Sequence, residues 1–187
     1  MPRIRVVRFT IDRSSIDLNG HVNNQEYVRW MQDIAIAHSD QQGWTTERYI
    51  ATRTTWVIRS HFIEYIRPAF AGDEIVAATW VADIGTQSSR RKTRFVRARD
   101  GKTVVEAETA WVYCDATNGR PTEILPEVRD AFPVVGPVQA HIVAHHGKIR
   151  RGGRFVPIAA GHFGGDLIFP DPDPIAVPGL PGDSADR

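Results

Sequence analysis

The stretch IDLNGHVNNQEYVRWM, residues 16–31, decides how the rest of the chain is read. It begins in a polar loop, since residues 12–22, DRSSIDLNGHV, are rich in the turn formers Asp, Ser, Asn and Gly. A helix follows. Asn23 and Asn24 are N-cap candidates, and Tyr27, Trp30, Met31, Ile34 and Ala35 recur at the spacing of one helical face. Gly43 marks the expected stop. The loop therefore carries a carboxylate, Asp17, just ahead of a helix N-terminus, where backbone N–H groups lack partners and the helix dipole is positive. Such donors can take the oxygen of a polarised carbonyl, and a carboxylate beside them can act as general base or as nucleophile. Taken singly, each residue has a plainer role. An Asp in a D-x-x-G loop is commonly a turn residue, and Asn23 and Asn24 serve as caps. An isolated histidine such as His21 commonly packs or hydrogen-bonds.

Outward from this segment the period changes. Residues 3–11, RIRVVRFTI, read as a strand. Residues 52–68, 74–85, 88–99 and 102–115 are β-branched and aromatic and are separated by Pro68, Gly72-Asp73, Gly85 and Asp100-Gly101. The Asp-Gly pair predicts a two-residue type I′ hairpin. The expected order is one strand, one long helix, then four strands in an antiparallel meander, an α+β domain of two layers. A lone helix on a sheet leaves a face or an edge to cover, which predicts a homo-oligomer.

The chain has 187 residues, of which 42% are hydrophobic and 24% charged, ordinary values for one globular domain with room for a tail. A net charge of +1 gives no argument for nucleic acid or for a membrane surface. Cys114 is the single cysteine, so no intrachain disulfide forms. No apolar h-region opens the chain and no run reaches the roughly 18–20 apolar residues of a membrane span, so a cytoplasmic protein is expected. Residues 133–187 hold 9 of the 15 glycines and 8 of the 12 prolines. The domain is accordingly placed at 1–132, with 133–187 a loop-rich or disordered C-terminal extension.

The string D-L-N-G-H-V-N-N-x-x-Y before a helix resembles the signature of hotdog-fold thioesterases, in particular the 4-hydroxybenzoyl-CoA thioesterase-like family of acyl-CoA thioesterases. It is also similar to the D-x-N-x-H-x-N-N-x-x-Y segment of plant acyl-ACP thioesterases. Residues 63–75, IEYIRPAFAGDEI, and 107–128 extend the resemblance, which covers about residues 3–132. It implies a hotdog fold, a five-stranded antiparallel sheet wrapped around one long helix. The implied reaction is hydrolysis of an acyl-CoA, or of an acyl-ACP, with Asp17 as catalytic carboxylate and the backbone N–H at Asn24 polarising the carbonyl. Asn19 and His21 match motif positions around that carboxylate. Asn23 and Tyr27 fall where substrate contacts are expected. The plant enzymes carry Glu-Cys where this chain has Pro68-Ala69, so a mechanism using that later glutamate is not carried over. Another hotdog lineage uses a helix glutamate, and Glu26 and Asp33 lie on this helix, but Asp17 makes that arrangement unnecessary.

Arg90, Arg91 and Lys92, with Arg94, crowd one strand and are candidates for the phosphates of CoA, against the alternative of a charged, solvated edge. Lys148, Arg150, Arg151 and Arg154 form a second basic group. His141, His145 and His146 lack a carboxylate or Cys at ligand spacing, so no metal is expected. A thioester has a good leaving group, so no cofactor is expected either. Trp30, Trp44, Trp56 and Phe62 are candidates for pocket lining or core. A non-catalytic acyl-thioester-binding module is the rival from another class.

Overall fold

Asn23 starts the helix around which the fold is built. Its side-chain Oδ1 accepts the Gln25 N–H at 2.9 Å, so the cap satisfies one of the orphan donors of α1 (Asn24–Gln41). Asn23→Ala is expected to cost about 0.5–2 kcal/mol of stability, read by thermal denaturation. Gly43 ends the helix with φ +80°, a conformation that a Cβ disfavours. A computed structural model describes residues 3–136, 148–151 and 154–157.

All five residues of the expected helical face are buried, and His38 joins them. They pack on a five-stranded antiparallel sheet made of β1 (Ile4–Thr10), β2 (Thr54–Tyr65), β3 (Glu74–Ile84), β4 (Ser88–Arg97) and β5 (Lys102–Asp115). Tyr27, Trp30, Met31 and Ile34 meet Ile75, Ala77, Phe95, Val105 and Ala107 from the inner sheet face. Tyr27 sits edge-on to both Trp30 and Phe95, with centroids 5.2 and 5.4 Å apart. Such pairs add about 0.5–1.5 kcal/mol each beyond area burial. β3 is buried on both faces; on the outer side Ala78 and Trp80 pack with Val96 and Val135, beside Ile4 and Val6 of neighbouring β1. Bulges near Ile58 and Val81 add local twist to the sheet. This is the hotdog arrangement.

Three local expectations need correction. The strand order is β1-β3-β4-β5-β2, so only β3–β5 form a meander. β2 lies at the far edge beside β5, three strand spacings from β3, which is about 14 Å. The connection of residues 66–73 can cross that distance, since an extended chain of its length reaches about 26 Å. It is pinned on the way by Ile66 N–H to Val104 O and by Val22 N–H to Ala69 O, both 2.9 Å. Second, the β4–β5 turn spans residues 98–101, and only Gly101 has positive φ. Asp100 instead binds the Arg97 guanidinium at 2.8 Å and holds a longer loop. Third, two short helices were not foreseen: α2 (Thr46–Ala51), capped by Thr45, and α3 (Pro126–Ala131), which opens on a proline. Six residues are too few for a periodic signal.

Within the expected extension, β6 (Lys148–Arg151) and β7 (Arg154–Pro157) pair as a short antiparallel ladder. His141, His145 and His146 lie outside the described residues. Among the described residues no helix is long and apolar enough to cross a membrane.

Candidate active site

The loop before α1 is a small closed hairpin. Asp12 caps a single 3-10 turn over Arg13–Ser15. Ile16 and Val22 then form a bridge, Asp17 N–H donates to His21 O at 2.9 Å, and Asn23 N–H donates to Ser15 O at 2.9 Å. Gly20 closes the tip with φ +82°. The Val22 bond to Ala69 O ties this hairpin to the Pro68-Ala69 turn, whose Ala69 is core. That turn is held by Asp73, which accepts the Phe70 N–H at 3.0 Å and lies 3.8 Å from Arg97. The two segments that carry the resemblance are thus physically joined.

Three of the expected site residues converge in the hairpin. The Asp17 side chain is 23% exposed. Its Oδ1 accepts the Asn19 N–H at 2.8 Å, and Asn19 Nδ2 stands 3.5 Å from Oδ2. His21 Nδ1 is 3.8 Å from Oδ1, a spacing that becomes an ion pair when the ring is protonated. The carboxylate therefore shapes its own turn, as an Asp in such a loop does, and it also keeps one oxygen with only a long contact.

Asn24 is the first residue of the helix and is exposed. Gln25 N–H goes to the cap and Glu26 N–H to Asn23 O, whereas the Asn24 N–H has no acceptor among the described residues. It is a free donor at the positive end of an 18-residue helix. The pairing of the stem runs Asp17 toward the hairpin tip and Asn24 away from it. Within one chain the two backbones flank the stem. Asn23 spends its side-chain oxygen on the cap. Glu26 is engaged by Arg29 and lies 3.3 Å from Ser15 Oγ.

Tyr27 does not reach the loop surface. It is core, and burial pushes its phenol well above the ordinary range. Strand alternation also divides the basic cluster. Arg90, Lys92 and Arg94 point outward, where Glu108 and Glu106 on β5 face them, with Arg94 and Glu106 at 2.7 Å and Arg90 and Lys92 at 3.8 and 4.0 Å from Glu108. Arg91 points inward and is buried, so it does not share a surface with Arg90 and Lys92.

Sequence reading missed this inward group. Arg91 Nη1 donates to His38 Nδ1 at 2.9 Å, and His38 Nε2 lies 3.1 Å from the Gln42 amide. A guanidinium can only donate, so His38 accepts at Nδ1 and carries its hydrogen on Nε2. The Gln42 atom that faces the ring is Nε2, and turning the amide by 180° puts its oxygen on the ring hydrogen instead. The signal was available. His38 lies four residues beyond Ile34 on the buried stripe, and Arg91 is in phase with Ser89, Thr93 and Phe95. Arg91 of this group borders a cavity of about 230 Å³ between the C-terminal half of α1, α2 and the sheet. Among the described residues, no cluster of His, Cys, Asp or Glu could hold a metal ion.

The family model described as the thioesterase-like superfamily matches residues 13–132. The chain belongs to the thioesterase-like superfamily. The matched span of this superfamily member contains the hairpin, α1 and the whole of β2–β5. No curated protein matches the sequence. Among solved structures, it is similar to a 1,4-dihydroxy-2-naphthoyl-CoA thioesterase from Synechocystis, with a TM-score of 0.64 and 11% identity over 69% of this chain and 95% of that one. A gentisyl-coenzyme A thioesterase gives 0.61 at 19% identity, over 68% and 99%. A Staphylococcus aureus protein solved in complex with CoA gives 0.65 at 13% identity, over 68% and 80%. At these identities the likeness establishes the shared hotdog fold.

Proposed function

We propose that this protein is an acyl-CoA thioesterase that converts an acyl-CoA and water to a free acid and CoA. The observation that carries the proposal is the Asp17–Asn19–His21 hairpin beside a helix whose first N–H is free. Asp17 activates water or attacks the thioester carbonyl, and the Asn24 N–H takes the negative charge that develops on the carbonyl oxygen. Asn19 and His21 hold the carboxylate in place. Superfamily membership supports the reaction class, and the neighbours named as CoA thioesterases or solved with CoA support CoA as the carrier. Because the stem directs Asp17 and Asn24 apart, a carbonyl that meets both either spans the stem or takes the N–H of a paired copy.

A homodimer, or a tetramer built from dimers, fits the exposed sheet edge. β2 is twelve residues long, lies at the edge, and exposes Val57 and Phe62. A long strand with one unpaired side is a template for a second copy. Arg90 and Lys92 reach CoA phosphates in this reading by exchanging their contacts with Glu108 for phosphate oxygens. A cytoplasmic location, where acyl-CoA is met, belongs to the same proposal.

The test is thiol release from aromatic and aliphatic acyl-CoAs of graded length, repeated with the same acyl groups on carrier protein. Hydrolysis of the CoA esters well above the spontaneous rate is expected. Hydrolysis confined to carrier-protein esters would move the assignment to acyl-ACP. Tight acyl-CoA binding with no thiol release would make the protein a binding module.

A further inference from the structure

The cavity beside α2 holds an anomaly that the thioesterase reading does not use. Arg91 borders it with only 8% of its surface exposed. Among the described residues no carboxylate lies within ion-pair distance of this guanidinium. Its partners are His38 Nδ1 at 2.9 Å and Thr79 Oγ1 at 3.4 Å, both neutral acceptors. Tyr49, on the same wall, supplies no charge, because burial raises its phenol above the ordinary value. Burial lowers Arg91 itself only to about 10, so it stays cationic at neutral pH. A buried cation without a counter-charge is costly, and a site that keeps one is incomplete without an anion.

A second donor points the same way. The indole Nε1 of Trp111, another wall residue, is buried with no acceptor among the described residues. Trp44, Tyr49, Trp56 and Phe132 supply an aromatic part of a wall that is otherwise polar and aliphatic. Asp40 lines the cavity from an exposed position and pairs with no cation among the described residues. A volume of about 230 Å³ exceeds the roughly 150 Å³ that holds benzene in an apolar cavity, leaving room for a ring or short chain with a carboxylate.

We propose that this cavity binds the carboxylate of a small organic acid with an aromatic or short aliphatic body, the carboxylate on Arg91 and Trp111 Nε1–H and the body against the aromatic part of the wall. The site is separate from the Asp17 hairpin. Its lining on α1 runs from Gln32 to Asp40, 8–16 residues beyond Asn24, or about 12–24 Å along the helix. The proposal therefore stands whether or not Asp17 hydrolyses thioesters.

Isothermal titration of the full-length protein with benzoate and octanoate, against benzyl alcohol as the neutral control, tests it. Saturable binding of one acid per chain is expected, with the alcohol about tenfold or more weaker. Arg91→Met is expected to lose the acid's advantage and keep the alcohol's affinity. Trp111→Phe, which removes one N–H and keeps a ring, is expected to weaken the acid alone by several-fold. Asp17→Asn is expected to change none of these values. No binding of either acid, equal affinity for acid and alcohol, or full acid affinity in Arg91→Met would overturn the proposal. Loss of acid binding in Asp17→Asn would overturn the separateness of the site. If Arg91→Met does not fold, Trp111→Phe and the acid–alcohol comparison decide.

Discussion

Asp17→Asn is expected to fold, to keep its thermal stability, and to lose about 10²–10⁴-fold in kcat for thioester hydrolysis. The geometry separates the two jobs of this side chain. Oδ1 accepts the Asn19 N–H that shapes the loop, and a carboxamide oxygen in the same place accepts it equally well. The backbone bonds that close the hairpin, Asp17 N–H to His21 O and Gly20 N–H to Asp17 O, do not involve the side chain at all. Only the negative charge and the ability to take a proton or attack a carbonyl are removed. Thiol-release kinetics beside a melting curve read both effects. A folded Asp17→Asn protein with unchanged kcat would remove the carboxylate from the reaction. Asp17→Ala would be a poorer test, since it abolishes the turn bond together with the charge.

Asn24→Pro is the second large effect, and the local backbone makes it a clean substitution. Proline lacks the N–H and is tolerated at the first helical position. It also restricts the preceding residue to extended conformations, and Asn23 already has φ −61° and ψ 133°. The N–H that is lost bonds nothing among the described residues, so stability is expected to change little. The cap from Asn23 to Gln25 N–H remains. If that free N–H stabilises the developing oxyanion, kcat falls by about 10²–10³, the equivalent of roughly 2.7–4 kcal/mol. Wild-type turnover in a folded Asn24→Pro enzyme would mean that the helix end does not contact the reacting carbonyl.

The helix was legible because its signals agree. Two asparagines stand at its start, a glycine in left-handed conformation at its end, and Tyr27, Trp30, Met31, Ile34 and Ala35 on one stripe, all of which are buried. The five strands were legible from β-branched and aromatic runs. Their order was not, because adjacency in sequence suggests a meander and nothing local tells β2 to cross to the far side of β5. The tight-turn reading of Asp100-Gly101 failed for a specific reason. Arg97 draws Asp100 into an ion pair that suits a four-residue loop, and that side-chain contact is invisible in a dipeptide rule. In the candidate site, the motif brought Asp17, Asn19 and His21 to one place, which spacing within a loop makes almost unavoidable. The basic run on β4 was harder. Read as a cluster it looks like one patch, yet alternation sends Arg91 into the interior and leaves Arg90 and Lys92 outside against Glu108.

The reaction proposed for this chain requires the acyl carbonyl to lie between the residue 17 side chain and the Asn24 N–H. A crystal structure of Asp17→Asn with a ketone analogue of acyl-CoA, in which a methylene separates carbonyl and sulfur, observes that contact directly. The expected result is a carbonyl oxygen about 2.7–3.1 Å from an Asn24 nitrogen, of the same chain or of a paired copy, with the residue 17 carboxamide beside the carbonyl carbon. An analogue whose carbonyl lies elsewhere, with residue 17 facing open solvent, would contradict it.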